Sequence, residues 1–384
     1  MRALHIVPDF SARWGGVYQS VRGLALALRN KIEISILETF RGSREQEESL
    51  PGVRQIRLNA GWKYQFSWDV KKTIEKIIAN YDLIHIHGLW QFPLSYGAAC
   101  ARKFGVPYVY HVHGMLNPWP LRHHFGRKAV YSFLWERRNL NCASTVICVS
   151  SNEEKSVRQF QITSPTVVIP NGIHREAAEK QAAQGEFRAK HPALAQKTII
   201  LFLGRIHPKK GIDLLLSSFS TFSSTLPQAH LVIAGPEEDK SYFKKLQAFV
   251  FTHSLTERVT FLGPVYDAEK KALLADSNLF VLSSHDEGSS IAVLEAMASA
   301  LPVVVTRECS FDEIEKAEAG LVVPYHQTAL AEAMKQLLTD EWLAKRMGIN
   351  GRNLVLSKYH WDAIGHEVVR LYESILAKAK RSQS

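Results

Sequence analysis

Residues 279–298 read LFVLSSHDEGSSIAVLEAMA. Leu279–Leu282 is a continuous apolar run, which predicts a strand covered on both faces and therefore a parallel sheet flanked by helices. Gly288, Ser289 and Ser290 follow and can open a helix whose first amides have no internal acceptor, a natural seat for an anion such as a diphosphate. Glu295 stands inside the apolar stretch Ile291–Met297, so it turns to the buried side of that helix rather than to solvent. A carboxylate there can accept hydrogen bonds from vicinal ribose hydroxyls. Glu287, just before the helix, is placed to meet the far end of the same ligand.

The same strand-then-helix rhythm runs through the chain. Apolar runs fall at Leu4–Val7, Ile32–Leu37, Leu83–Ile86, Tyr108–Val112, Thr145–Val149 and Val167–Ile169. A second series falls at Thr198–Leu203, His230–Ala234, Val259–Leu262, Leu279–Leu282, Val303–Thr306 and Gly320–Val323. Two series predict two doubly wound α/β domains, an N-terminal one over 1–170 and a C-terminal one over 197–362. Residues 171–196, polar over Glu176–His191, read as a linker. A last helix, about 363–384, suits either domain. In such sheets ligands sit where strands end and helices begin, so the informative residues should follow the apolar runs.

Bulk composition narrows the classes. The chain has 384 residues, 46% hydrophobic and 22% charged, enough for two cores. Four scattered cysteines without CxxC spacing suit a reducing compartment. No run approaches the roughly 20 apolar residues of a membrane span, and no signal peptide is evident, so the expected location is cytoplasmic. The net charge of +10 lies wholly in the first half: 1–170 holds 22 Lys+Arg against 12 Asp+Glu, while 171–384 holds 25 of each. That bias suits either an anionic partner, such as a membrane surface at the inner face of the cell membrane, or plain solubility. The segment 122–140, RHHFGRKAVYSFLWERRNL, likewise reads as a basic aromatic helix at a membrane interface or as a helix with one core face. No nucleic-acid-binding module is recognisable.

Gly204-Arg205-Ile206-His207-Pro208-Lys209-Lys210-Gly211 follows the strand Thr198–Leu203. Arg205 and Lys210 can neutralise a departing diphosphate from one loop. With 285–298, Val168–Ile173 and Leu231–Pro236, this segment resembles glycosyltransferase family 4 over nearly the whole chain. The characteristic elements are Gly204-Arg205 with Lys210-Gly211, and two glutamates eight apart ending in Glu295-Ala296-Met297-Ala298. The resemblance implies the GT-B fold, two Rossmann-like domains facing across a cleft, and a metal-free, retaining transfer of a hexosyl group from a nucleotide sugar. It implies that Arg205 and Lys210 bind the diphosphate, Glu295 the ribose and Glu287 the sugar. Gly263 to Val265 would line the base pocket, with Ser289, Ser290 and Ile291 beside the donor. Many members carry an aromatic residue and a glycine where this chain has Ser289 and Ser290, so sugar identity does not carry over.

In the first half, Trp14-Gly15-Gly16-Val17 follows the first strand, and paired glycines let a ligand approach the backbone. The resemblance places Gly16 in the site floor and gives His113 a contact with the donor sugar. His87, at the neighbouring strand end, is an acceptor-side candidate with Gly15, Arg122, Arg127 and Lys128. His85-Ile86-His87 and His111-Val112-His113 have the same-face spacing of metal ligands, but no carboxylate accompanies them, and no metal or other cofactor is expected. His85 and His111 read as sheet residues. The expected partners are a nucleotide sugar and a glycan or lipid-linked acceptor hydroxyl, as in exopolysaccharide, lipopolysaccharide or glycolipid assembly. A nucleotide-sugar epimerase and a non-catalytic nucleotide-sugar-binding protein are the alternatives.

Overall fold

The computed structural model describes residues 1–11, 15–40, 49–61, 63–119, 131–175 and 182–381. They form two units, residues 1–172 with 361–384 and residues 173–360. In the first, β1 (Arg2–Val7), α1 (Gly16–Leu28), β2 (Glu33–Phe40), β3 (Arg54–Asn59), α2 (Trp68–Ile77) and β4 (Leu83–His87) come first. Then follow α3 (Phe92–Lys103), β5 (Tyr108–His111), α4 (Arg137–Asn141), β6 (Thr145–Cys148), α5 (Ser151–Gln159) and β7 (Thr166–Val168). The second unit runs α6 (Glu186–Lys190), β8 (Thr198–Leu203), α7 (Ile212–Phe222), β9 (Ala229–Ala234), α8 (Lys240–Thr252), β10 (Val259–Gly263) and α9 (Asp267–Asp276). It continues with β11 (Leu279–Leu282), α10 (Ile291–Ala298), β12 (Val303–Thr306), α11 (Asp312–Lys316), β13 (Gly320–Val323), α12 (Gln327–Thr339) and α13 (Glu341–Lys358). Finally α14 (Trp361–Arg381) returns to the first unit.

The sheet orders are β3-β2-β1-β4-β5-β6-β7 and β10-β9-β8-β11-β12-β13, with the paired strands parallel. Strand order reverses between β1 and β4 and again between β8 and β11. Those switch points open crevices beyond the carboxyl ends of the strands, one per unit. The central strands are buried almost throughout, which explains their richness in Val, Ile, Leu and Phe, interrupted on β4 by His85 and His87. The edge strand β3, RQIRLN, alternates instead and escapes detection as an apolar run. Side-chain caps fix several helix starts: Ser67 accepts from Asp69 N–H at 3.2 Å, Ser150 from Glu153 N–H at 3.2 Å, and Asp239 from Ser241 and Tyr242 N–H at 2.9 and 3.0 Å.

One face of the first sheet packs against α2 and α3 through Leu4, Ile6, Ile84, Ile86 and Tyr110. The other, carrying Ala3, Val7, Leu83 and Val109, packs against α1 and α14. The ambiguity over the last helix is thereby resolved. Trp361, Ile364, Val368, Tyr372 and Ile375 recur at three- and four-residue spacing along its inner face. Gly23 on α1 makes the approach possible, because a Cβ there would lie 2.1 Å from the Trp361 ring.

From residue 173 onward, the described part of the segment read as a linker belongs to the second unit. Phe187 is buried there, and Asp276 accepts the amides of Gly185, Phe187 and Arg188 at 2.5, 2.9 and 3.0 Å. One aromatic anchor and one capping carboxylate outweigh the polar composition that suggested a free tether. Among the described residues no helix is long and apolar enough to cross a membrane. Of the basic segment 122–140, residues 122–130 lie outside the described residues; 132–136 form one wide helical turn leading into α4.

Candidate functional site

The second unit's crevice is lined by the β8–α7 and β11–α10 loops. Gly211 has φ 61°, and a Cβ on it would lie 2.0 Å from the Ser283 carbonyl oxygen, so a side chain is excluded for both conformation and space. Across that close approach the loops are stitched together. Ser283 Oγ donates to Gly211 O at 2.8 Å, and His285 N–H donates to Lys209 O at 2.9 Å. Thr306 Oγ1 holds Ser284 O from the next strand at 2.7 Å.

This stitching brings Lys210 and Glu287, 77 positions apart, into a direct ion pair. Ser284 Oγ also donates to Glu287 Oε1, at 2.9 Å, and the Glu287 amide donates to Glu308 O at 3.0 Å. Burial opposes ionisation of Glu287, but Lys210, Lys209 and the Ser284 bond outweigh it and hold the carboxyl below its ordinary value. The pair is therefore charged on both sides and only 14% and 12% exposed, which makes it far less screened than a surface pair.

Glu295 is on α10 as expected and is partly buried. Its partner, Lys270 on α9, lies at 2.5 Å and was not singled out from the sequence. Nothing in the chain around 270 announces an ally 25 residues on. Arg205 stands further out, 49% exposed, and bonds Glu238 at 2.6 Å. The Gly235 amide donates to Gly263 O at 2.8 Å, which sets the end of β10 beside β9. Gly263 has φ 81° with open space where a Cβ would be, and Val265 is buried behind it. Ser290 occupies the N-cap of α10 without bonding it, so the first amides of that helix, from Ile291 onward, lack an intrahelical acceptor. Ser289 precedes it, partly buried.

The first unit's crevice has a different character. Gly15 (φ 55°) and Gly16 open α1, with open space around both Cα atoms. Trp14, Arg122, Arg127 and Lys128 lie outside the described residues. His113 follows β5 with φ 51° beside Gly114 with φ 75°, two left-handed residues in succession. Glu153 stabilises that corner, its carboxylate accepting the amides of Gly114 and Val149.

His87 and His113 meet at 3.0 Å, Nδ1 to Nε2. They are the outer members of a cluster that the sequence shows only in part. The strand register puts His5 on β1 opposite His85 on β4, and His87 opposite His111 on β5. All four sit on the face covered by α1 and α14 and are buried. His111 stacks on His113 with ring centroids 3.9 Å apart. Burial pushes His5 and His111 down to about 3 and His85, His87 and His113 well below their ordinary value, with neighbouring histidines adding to the shift for all but His111. Two triads, His5/His85/His87 and His87/His111/His113, have nitrogens within 4.8 Å of one another, the spacing a metal ion could use. Below the neighbouring loop, Glu136 is buried and accepts from Trp90 N–H at 2.9 Å and Ser95 Oγ at 2.8 Å; burial raises its carboxyl to about 7.

Comparison with known proteins adds the following. A family model described as Glycosyl transferases group 1 matches residues 183–354, and one described as Glycosyltransferase Family 4 matches residues 14–177. The chain is 23% identical to the GDP-mannose:cellobiosyl-diphosphopolyprenol alpha-mannosyltransferase of Komagataeibacter xylinus, covering 99% of this chain and 94% of that one. Sucrose-phosphate synthase from Thermosynechococcus elongatus superimposes with a TM-score of 0.80 at 23% identity, covering 98% of this chain and 100% of that one. Anabaena HepE, solved with UDP and glucose, gives 0.79 at 20% identity, covering 97% and 100%. These structures share the GT-B fold with this chain.

Proposed function

The chain belongs to glycosyltransferase family 4, the group 1 glycosyltransferases, and from that premise we propose that it moves a hexosyl group from a nucleoside diphosphate to an acceptor hydroxyl with retention of anomeric configuration. In the transfer the bond from the anomeric carbon to the β-phosphate oxygen breaks, one forms to the acceptor oxygen, and the acceptor proton leaves on the released phosphate. Negative charge grows on the diphosphate as the bond breaks. Fixed cations aimed at that charge lower the barrier.

The observation that carries the reading is the Lys210–Glu287 pair at the β8/β11 switch point, beside the open amides of α10. Lys210 and Arg205 take the diphosphate, and Glu287, tethered to Lys210, meets the sugar. Glu295 takes the ribose hydroxyls, with Lys270 orienting it. Gly263 and Val265 border the base, and Ser289, Ser290 and Ile291 border the donor. In the first unit His113 contacts the sugar and Gly16 borders the donor, while Gly15 and His87, with Arg122, Arg127 and Lys128, serve the acceptor side. The lysine and arginine do the electrostatic work, so transfer requires no metal. HepE was solved with UDP and glucose and the Komagataeibacter relative is named for a diphosphopolyprenol, which supports a nucleotide-sugar donor and a lipid-linked acceptor.

Thermal stabilisation by a panel of nucleoside diphosphates and their sugars tests the donor. A ligand at about 100 times its dissociation constant adds roughly 2.7 kcal/mol. Stabilisation by none of them removes the reading, and an inverted product anomer by NMR removes retention. Peripheral docking through the basic half predicts binding to anionic liposomes that weakens with salt and in Arg137→Glu/Arg138→Glu; salt-insensitive binding refutes it.

A further inference from the structure

A string of hydrogen bonds crosses the first unit from His113 to His85. His113 Nε2 meets His87 Nδ1 at 3.0 Å, and His87 Nε2 meets His5 Nδ1 at 2.9 Å. His5 Nε2 meets the Tyr372 hydroxyl at 3.2 Å, and that hydroxyl meets His85 Nδ1 at 2.5 Å. Tyr372 comes from α14 and is fully buried, as are His5, His85 and His87.

A neutral imidazole has one N–H and one bare nitrogen, and a phenol has one O–H. His87 and His5 each use both nitrogens in the string, so a proton placed on one ring dictates its neighbour. Only two arrangements avoid setting two protons, or two lone pairs, face to face and also give the Tyr372 O–H an acceptor. In one, all four histidines carry the proton on Nδ1 and every bond donates toward His113. In the other, all four carry it on Nε2 and every bond donates toward His85.

We propose that the string is a hydrogen-bond wire polarised toward His113, which holds the His113 proton on Nδ1, the nitrogen left for a ligand. The direction follows from the far end. Among the described residues His85 Nε2 is buried without a partner, so the opposite polarity would strand an N–H there, whereas this one leaves a bare nitrogen. Tyr372 and His5 are then positioning residues that make His113 a donor rather than an acceptor. The wire stands on the first unit alone; its effect on a sugar oxygen rests on the role proposed above for His113.

Histidine-selective 15N labelling and long-range proton–nitrogen correlation read the tautomers directly, with assignments from single His→Asn variants. The expected result is Nδ1–H at His5, His85, His87 and His113. In His85→Leu the Tyr372 hydroxyl has only His5 to donate to, and the other three histidines stay Nδ1–H. Mixed tautomers, Nε2–H throughout, or an imidazolium in the string overturns the proposal. So does stoichiometric zinc in the purified protein, since a metal on His87, His111 and His113 would take the nitrogens the wire uses. For transfer, Tyr372→Phe should lower kcat about five- to tenfold, the worth of one hydrogen bond, with the nucleotide KM unchanged. An unchanged kcat overturns the positioning role. If no donor supports transfer at all, the proposed function fails while the tautomers still decide the wire.

Discussion

The two units repeat one strand order around one switch point, yet their crevices are built from opposite materials. The second holds fixed charges, with Lys210 against Glu287 and Lys270 against Glu295. The first holds neutral rings, buried histidines that burial keeps unprotonated. A doubly wound sheet thus decides where a site lies and leaves its electrostatics to the side chains that end the strands. Where charge must be bound, paired ions at a loop junction supply it without stranding a bare ion in the interior. Where only orientation is needed, a string of neutral groups does it with no net charge to desolvate.

Acid should separate the two units most strongly. A buried histidine with a lowered pKa contributes stability that is complete above its unfolded value of 6.5 and is lost as pH falls toward its folded value, about 3 for His5 and His111. Each such group removes about 1.4 kcal/mol per pH unit in that window, and five of the described histidines of the first unit are of this kind, His5, His85, His87, His111 and His113. Glu136, raised to about 7, works in the opposite sense between 7 and its ordinary 4.5, one group against five. In the second unit, burial lowers His230 to about 4 and lowers His285 as well, while the Glu287 pair persists until pH drops through that lowered carboxyl value. Hydrogen exchange at stepwise lower pH should show the first unit opening before the second. Simultaneous opening would break the contrast.

Next in size, Lys210→Ala should lower kcat/KM by about 10²- to 10³-fold, as expected for one group stabilising transition-state charge. It also leaves Glu287 buried without its cation, so Lys210→Ala/Glu287→Gln should melt higher than Lys210→Ala alone. Glu295→Ala should raise the nucleotide dissociation constant about ten- to hundredfold, measured calorimetrically, with Lys270→Ala smaller in the same direction. Smallest of all, Glu238→Ala should change melting stability by less than about 0.5 kcal/mol, because its bond to Arg205 lies half in solvent.

Much of this contrast is legible in the sequence, for a definite reason. Continuous apolar runs mark the central strands, and the glycine-punctuated segments 204–211 and 285–298 follow two of them, so Arg205, Lys210, Glu287 and Glu295 can be placed before any coordinates. What escapes depends on pairing between distant elements. Lys270 and Glu238 matter only because α9 and the β9–α8 loop fold beside Glu295 and Arg205. His5 gains meaning from the β1–β4 register, and Tyr372 from the return of α14. The edge strand β3 escapes because its alternation carries no continuous run. The short helix α6 looks like tether until Asp276 is seen to cap it.

The return of α14 also bears on synthesis. A ribosome makes residues 173–360 after the first sheet and before the helix that covers it. The face bearing His5, His85, Val7 and Val109 therefore stays without its α14 cover until residues 361–381 emerge, while the second unit already has all its own elements. Translation order and structural order are inverted here: the unit begun first is finished last. A released chain that ends at residue 360 should present a folded second unit and an uncovered first one.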